Sequence, residues 1–312
     1  MFYYFAPLEG VTDSIYRKLH NRYFPGIHRY YMPFLSPTTH RELTPREQRE
    51  LPKADTLGYA CIPQMLTKVP EDFIWMATKC QDLGYKEVNL NLGCPSGTVT
   101  AKGKGSGMLR NLDDLDRFLE QIFLHSPIPI SIKTRSGFSS SDEFPALLDI
   151  YNRYPLSELT IHPRPRSAFY KGDVDMNIFR YALSNSRAPL CYNGNLCTKS
   201  QLESFISQYP RVNALMIGRG LIGDPGMLSG TTTDMLQNFH NDLLEEYQTA
   251  FGSARNAMFR LKENWRHFLC LFEGSEKLGK QLRKTTDIVQ YKQITHQIFT
   301  TLPRRKQLHP DW

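Results

Sequence analysis

Glu87-Val88-Asn89-Leu90-Asn91-Leu92-Gly93-Cys94-Pro95 is the stretch from which the fold can be read. Val88–Leu92 reads as a buried strand, Gly93 turns the chain, and Pro95 stiffens the turn so that Cys94 stands on a defined loop. Helical patterns flank it on both sides. Upstream, Asp72–Leu83 carries Phe73, Met76, Ala77 and Cys80 on one face. Downstream, Leu112–Phe123 carries Leu115, Phe118, Leu119 and Ile122, with Asp113, Asp114 and Asp116 in the first turn, where the helix dipole favours acids.

The same alternation repeats outward. Strand-like runs are Tyr3–Pro7, His28–Met32, Ala60–Gln64, Ile128–Lys133, Glu158–His162, Pro189–Tyr192 and Ala214–Ile217. Helix-length segments separate most of them, and Lys199–Gln208 opens after Thr198, a suitable N-cap. Strands alternating with helices predict a parallel sheet, and eight such units within residues 1–220 predict an α/β fold of the (β/α)₈ TIM-barrel kind. An open doubly wound sheet would favour Gly-x-Gly-x-x-Gly after the first strand, and Leu8-Glu9-Gly10-Val11-Thr12 does not supply it.

From about residue 235 the strand-like runs cease, and Phe239–Tyr247, Ala257–Phe272 and Asp287–Phe299 carry helical periodicity. The expected organisation is a barrel over 1–232 and a C-terminal all-helical domain over 233–312, joined near Leu228-Ser229-Gly230. Charge follows the same division. Residues 253–312 hold 12 Lys/Arg against 5 Asp/Glu, which accounts for the whole formal charge of +7. A balanced body with a basic tail suggests a polyanionic partner, nucleic acid first, although a solvated helical face has the same composition.

The chain has 312 residues, 40% of them hydrophobic. No run approaches the roughly 18 apolar residues of a membrane-spanning helix. The first residues lack the basic start of a signal peptide, so no membrane association and a cytoplasmic location are expected. Six cysteines without a Cys-x-x-Cys pair argue against a disulfide framework or a zinc site, and no metal is expected.

In a (β/α)₈ barrel, polar residues at the C-terminal strand ends face the active site. Read in order, these ends give Pro7-Leu8-Glu9, Gln64, Asn91 with Cys94, Lys133 with Arg135, His162 with Arg164, Asn193-Gly194-Asn195 and Gly218-Arg219-Gly220. The last two turns suit a phosphate, because glycine lets backbone N–H groups approach an anion and Arg219 can bond it. Lys133 and Gln64 suit the polar edge of a flavin ring. Cys94 suits either a nucleophile or a general acid. A Cys–His hydrolase using His162 would further need an oxyanion hole and an orienting group, which no motif marks.

Together these residues resemble the tRNA-dihydrouridine synthases. The marks are Ala6–Asp13, Asn89-Leu90-Asn91-Leu92-Gly93-Cys94-Pro95-Ser96 with its sequel Lys102–Leu109, and Ile132–Arg135. Ile161–Arg164, Tyr192–Asn195 and Met216–Gly220 complete them. The chain departs from the family at Leu8-Glu9 and at Pro163, where other residues are commoner. The resemblance implies tightly bound FMN, NADPH as reductant and tRNA as substrate. It implies that Pro7, Leu8, Glu9, Gln64, Lys133, His162, Asn193, Gly194, Asn195, Gly218 and Arg219 contact the flavin. Asn91, Arg135 and Arg164 would meet the uridine, and Lys277, Lys280, Arg283 and Lys284 the rest of the tRNA. Hydride would pass to uracil C6, and Cys94 would protonate C5. A free thiol, with an ordinary pKa of ~8.5, holds its proton near neutral pH and can serve as that acid. A monomer without a protein partner is expected. A flavin barrel acting on a free pyrimidine, and an RNA-binding protein with an inactive barrel, are the rival readings.

Overall fold

The computed structural model describes residues 1–37 and 40–310, so the last two positions of the expected helical domain lie outside the described residues. Among these, nine short parallel strands form one sheet: β1 (Phe2–Phe5), β2 (Arg29–Tyr31), β3 (Cys61–Ile62), β4 (Gln64–Met65), β5 (Val88–Leu92), β6 (Ile130–Gly137), β7 (Leu159–Pro165), β8 (Leu190–Asn193) and β9 (Ala214–Ile217). The order is β3-β2-β1-β9-β8-β7-β6-β5-β4, so the two edges of the sheet are neighbours in the chain.

The stretch expected as one strand, Ala60–Gln64, is therefore two half-strands broken at Pro63. The physical reason is that proline has no N–H to give to a ladder. The Ile62 carbonyl accepts from the Met32 N–H (3.0 Å), and the Pro63 carbonyl accepts from the Asn89 N–H (2.8 Å). Past Pro63 the stave keeps the β2 side on one edge, where the Gln64 carbonyl accepts from the Leu35 N–H (2.8 Å), and β5 on the other, so the two halves make one stave of an eight-stave barrel, the TIM-barrel fold that the alternation predicts.

Two strands run further than the apolar runs suggest. β6 continues to Gly137 and β7 to Pro165, carrying Arg135 and Arg164 inside strands rather than just past them, with Lys133 and His162 away from the strand ends. Pro163 sits within β7 without interrupting it.

The chain divides into two compact units. The first holds Met1–Pro7, His28–Asn195 and Tyr209–Met216, and contains nearly all of the barrel sheet. Its helices Pro70–Asp82 and Leu112–His125 bury the apolar faces read from sequence, and Asn111 caps the second by accepting from the Asp113 and Asp114 N–H groups. The second unit holds Leu8–Ile27, Leu196–Gln208 and Ile217–Trp312. It contains helices Ser14–Tyr23, Lys199–Gln208, Thr233–Phe251, Ala254–Phe268, Glu276–Lys284 and Ile288–Thr301. Its core is aromatic: Phe239 lies edge-on to Tyr16 and Phe24, and Trp265 packs with Phe268 and Phe299. No helix among the described residues is long and apolar enough to cross a membrane.

Candidate active site

In parallel strands, register decides which side chains become neighbours. Gln64 pairs with Asn89 and Asn89 with Ser131; one row further on, Asn91 pairs with Lys133, Lys133 with Thr160 and Thr160 with Cys191. Along the first row the amides are joined laterally. Asn89 Nδ2 donates to Ser131 Oγ (2.9 Å), Gln64 Nε2 to Asn89 Oδ1 (2.8 Å), and Asn91 Nδ2 to Gln64 Oε1 (2.7 Å).

The direction of this chain is set at one end. Asn91 Oδ1 accepts the backbone N–H groups of Gly93 (3.0 Å) and Cys94 (2.9 Å). An atom receiving two N–H groups must be the oxygen, so Asn91 presents its NH₂ to Gln64, Gln64 presents its NH₂ to Asn89, and no amide in the line can flip. Asn89, Gln64 and Ser131 are fully buried, so each bond forms where an unmade one would be costly. The line ends on the backbone of the Cys94 loop.

Cys94 is half-buried. Its carbonyl accepts from the hydroxyl (2.7 Å) and the N–H (3.2 Å) of Ser106. Gly105 makes this approach possible, because a Cβ there would lie 3.1 Å from the Cys94 Cβ, and its φ of +57° is strained for other residues. The glycine-rich sequel therefore packs directly on the thiol's own backbone.

Lys133 stands beside Asn91. Burial, aided by the Arg135 charge, pushes its pKa down to about 8, while Cys191 and Cys94 act in the opposite direction. Arg135 is 1% exposed and donates to the carbonyls of Gly93 (2.8 Å), Pro165 (3.1 Å) and Phe169 (2.7 Å). Its guanidinium ties the Gly93 loop to the end of β7 and the segment that follows it, and lies 5.2 Å from the Tyr170 ring centre. Arg164 Nη1 contacts His162 Nε2 (3.1 Å) and donates to Asn195 Oδ1 (3.1 Å), and Nη2 donates to the Gly172 carbonyl. A guanidinium can only donate, so His162 Nε2 accepts and the ring proton sits on Nδ1. Asn193 Nδ2 donates to the Met216 carbonyl (2.8 Å). Gly194 backs on Tyr192, whose hydroxyl would collide with any side chain there.

The first unit thus brings together Gln64, Asn91, Cys94, Lys133, Arg135, His162, Arg164, Asn193, Gly194 and Asn195, and Pro7 also belongs to it. Leu8, Glu9, Gly218 and Arg219 belong to the second unit. There the Leu8 N–H is held by Thr12 Oγ1 (2.8 Å), and Gly218 precedes the short helix Arg219–Gly223. Lys277, Lys280, Arg283 and Lys284 are all exposed on the helix Glu276–Lys284, which buries Leu278 and Leu282. Of these, Lys280 and Arg283 line a groove of about 1020 Å³ with Lys262, Arg266, Arg305 and His309. The sequence signals these further cations only through the charge total of the last 60 residues. Asn89 and Ser131, by contrast, read as ordinary strand interior.

The profile described as Dihydrouridine synthase (Dus) matches residues 4–309. The chain belongs to the dihydrouridine synthase family. Members are flavin-dependent oxidoreductases, and the activity class is that of a tRNA-dihydrouridine synthase. Among curated relatives, tRNA-dihydrouridine synthase B of Proteus vulgaris is 28% identical over 221 residues, covering 70% of this chain and 67% of that protein. A Staphylococcus aureus (strain N315) protein described as "Probable tRNA-dihydrouridine synthase" is 25% identical over 302 residues, covering 93% and 90%. Among solved structures, morphinone reductase superposes with a TM-score of 0.52 at 10% identity, covering 72% of this chain and 84% of that one. A 2-naphthoyl-CoA reductase complex gives 0.54 at 12% identity, covering 72% and 48%. These two show a shared barrel fold.

Proposed function

We propose that the protein reduces the C5=C6 bond of specific uridines in tRNA, using FMN and NADPH, with Cys94 as the proton donor. The observation that carries this reading is the one-way amide line. It ends on the Gly93 and Cys94 N–H groups and runs beside Lys133, so a thiol loop past β5 and a cation within β6 lie on neighbouring strands.

The residues fit a flavin. Gln64 keeps one amide hydrogen and one carbonyl lone pair beyond its two bonds in the line, and Lys133 brings a positive charge held at low polarity. Both suit the ring's polar edge. FMN, when bound, supplies the hydride for uracil C6. Asn193, Gly194, Asn195 and His162 are proposed as its further contacts in the barrel unit. For Pro7, Leu8, Glu9, Gly218 and Arg219 the same role rests on the family pattern.

Cys94 gives its proton to C5, and the Asn91 clamp holds its loop while it does so. Asn91 retains a second N–H and Lys133 an ammonium, either of which can bond a uracil carbonyl as charge develops on it. Arg135 and Arg164 are proposed to border the uridine while their bonds to backbone and Asn195 hold the pocket wall in place. The target nucleotide must leave the tRNA stack to reach such a mouth. Residues 1–232 would then carry out reduction and residues 233–312 would hold the tRNA, with Lys277, Lys280, Arg283 and Lys284 meeting phosphates. The protein would work as a monomer in the cytoplasm.

The test is Cys94→Ala on tRNA lacking dihydrouridine. Uracil reduction should fall about 10²- to 10⁴-fold with flavin content unchanged. Turnover near wild type would remove Cys94 from the role of acid. Comparing free uridine with tRNA separates this reading from a free-pyrimidine enzyme.

A further inference from the structure

Beside the Cys94 loop the barrel unit carries a row of planar groups that the proposed chemistry leaves unused. Arg110 lies 4.1 Å from the centre of the Phe138 ring, Arg166 lies 5.3 Å from the same ring, and Arg166 also lies 4.8 Å from Phe169. The row ends in solvent, with Phe169 42% exposed.

The row is anchored to the segment that follows Cys94. Arg166 Nε donates to the Pro95 carbonyl (3.2 Å) and Nη2 to Thr100 Oγ1 (3.3 Å), and Arg110 Nη1 reaches the Thr100 carbonyl (3.5 Å). Glu143, the carboxylate of the adjoining loop, is occupied by the N–H groups of Phe138, Ser139 and Ser140. Among the described residues neither Arg110 nor Arg166 pairs with a carboxylate, so both charges remain available to an anion.

Phe169 holds φ at +50°, a conformation that glycine adopts freely and phenylalanine only under strain. The strain turns its carbonyl onto Arg135 while the ring stays in water. A glycine would relieve the backbone and lose the ring, so the ring is what the position keeps.

We propose that Phe169, backed by Arg166, Phe138 and Arg110, is a stacking platform for an unpaired base adjoining the uridine that is reduced, with the two guanidiniums taking neighbouring phosphates. This rests on the tRNA reading above. When a target base is pulled from its stack, its neighbour loses a face, and an exposed aromatic ring within one residue's reach of the catalytic loop replaces it. Arginine beside the ring adds charge without displacing the base.

Steady-state kinetics on unmodified tRNA test it. Phe169→Ala should raise the KM for tRNA about tenfold, with kcat moving less than about twofold. Phe169→Leu keeps apolar bulk without a plane and should behave like alanine, which covers the case of a loop collapsed by the smaller residue. Phe169→Trp should restore the wild-type KM. A KM within twofold of wild type for both alanine and leucine would overturn the platform. If the wild type itself forms no dihydrouridine in tRNA, the proposed function fails instead, and the two failures are distinct.

Discussion

In the barrel unit a line of buried amides runs from Ser131 to the Cys94 loop; in the helical unit the corresponding line runs from Trp265 to Asn241. The second is equally directional. Trp265 Nε1 can only donate, and it does so to the Tyr291 hydroxyl (2.9 Å). That hydroxyl then donates to His240 Nε2 (2.8 Å), which leaves Nδ1–H for Asn241 Oδ1 (3.1 Å). The two lines differ in where they end. The barrel's ends on the backbone of a half-exposed thiol loop, so its order is transmitted to a reacting group. The helical line ends on Asn241, an exposed side chain of its own helix, and reaches no thiol or other nucleophile. A buried hydrogen-bonded line therefore indicates function only through its terminus.

The largest expected effect breaks the first line and spares the second. Asn89 lies far enough along it to touch no ligand. Asn89→Leu leaves the Gln64 amide without its partner and frees the Cys94 loop, and uracil reduction should slow about 10- to 100-fold. Flavin reduction by NADPH, measured alone, should change much less. Asn89→Asp still accepts from Gln64 and should recover most of the rate. If leucine behaves like wild type, the barrel line serves packing alone.

The next effect concerns pH, where the two units oppose each other. Glu158 accepts from the Tyr4 (3.0 Å) and Tyr31 (3.3 Å) hydroxyls, and burial raises its pKa from 4.5 to about 7. A raised pKa means the folded barrel holds a proton that the unfolded chain has lost. Stability is then full below pH 4.5 and declines as pH rises through 7, by up to about 3 kcal/mol. Burial lowers His240 from 6.5 to about 4, so its contribution is present above pH 6.5 and is lost as pH falls toward 4. Unfolding at pH 5 and pH 8 sharpens the contrast. Glu158→Gln should gain stability at pH 8 relative to wild type, and an unchanged pH profile would show that burial does not hold the Glu158 pKa up.

The smallest effect separates the exposed cations of the helical unit. Lys280→Gln with Arg283→Gln removes two charges from the groove and should weaken tRNA binding several-fold, lowering the slope of log K against log salt by about 2. Lys277→Gln with Lys284→Gln, outside the groove, should change it less. Equal slopes would mean that charge acts here without regard to position.

Much of the fold is legible in the sequence, because a strand buried on both faces must be apolar and a helix beside it must be apolar on one. The exceptions have local causes. Pro63 divides a stave that looks continuous, and β6 and β7 extend past their apolar runs, where Arg135 donates to three backbone carbonyls and Arg164 bonds His162 and Asn195. The site is legible where a short motif carries it, as at Cys94. It is illegible at Asn89, Ser131 and Glu158, which carry no motif within their strand runs, and at Phe138 and Phe169, which sit in loops without periodicity.

The sequence by itself determined the barrel, the helical tail, the location of the excess charge and the identity of the thiol loop, since periodicity, composition and local motifs are properties of neighbours along the chain. Only the tertiary structure decided what the buried polar groups do. Register placed Gln64 against Asn89 and Asn91 against Lys133, the double bond to Asn91 Oδ1 fixed the direction of every amide behind it, and loop contacts set Arg166 between two rings. The pairing of Gln64 with Asn89 joins residues 25 positions apart, and a hydrogen bond acquires a direction only when both of its ends are known.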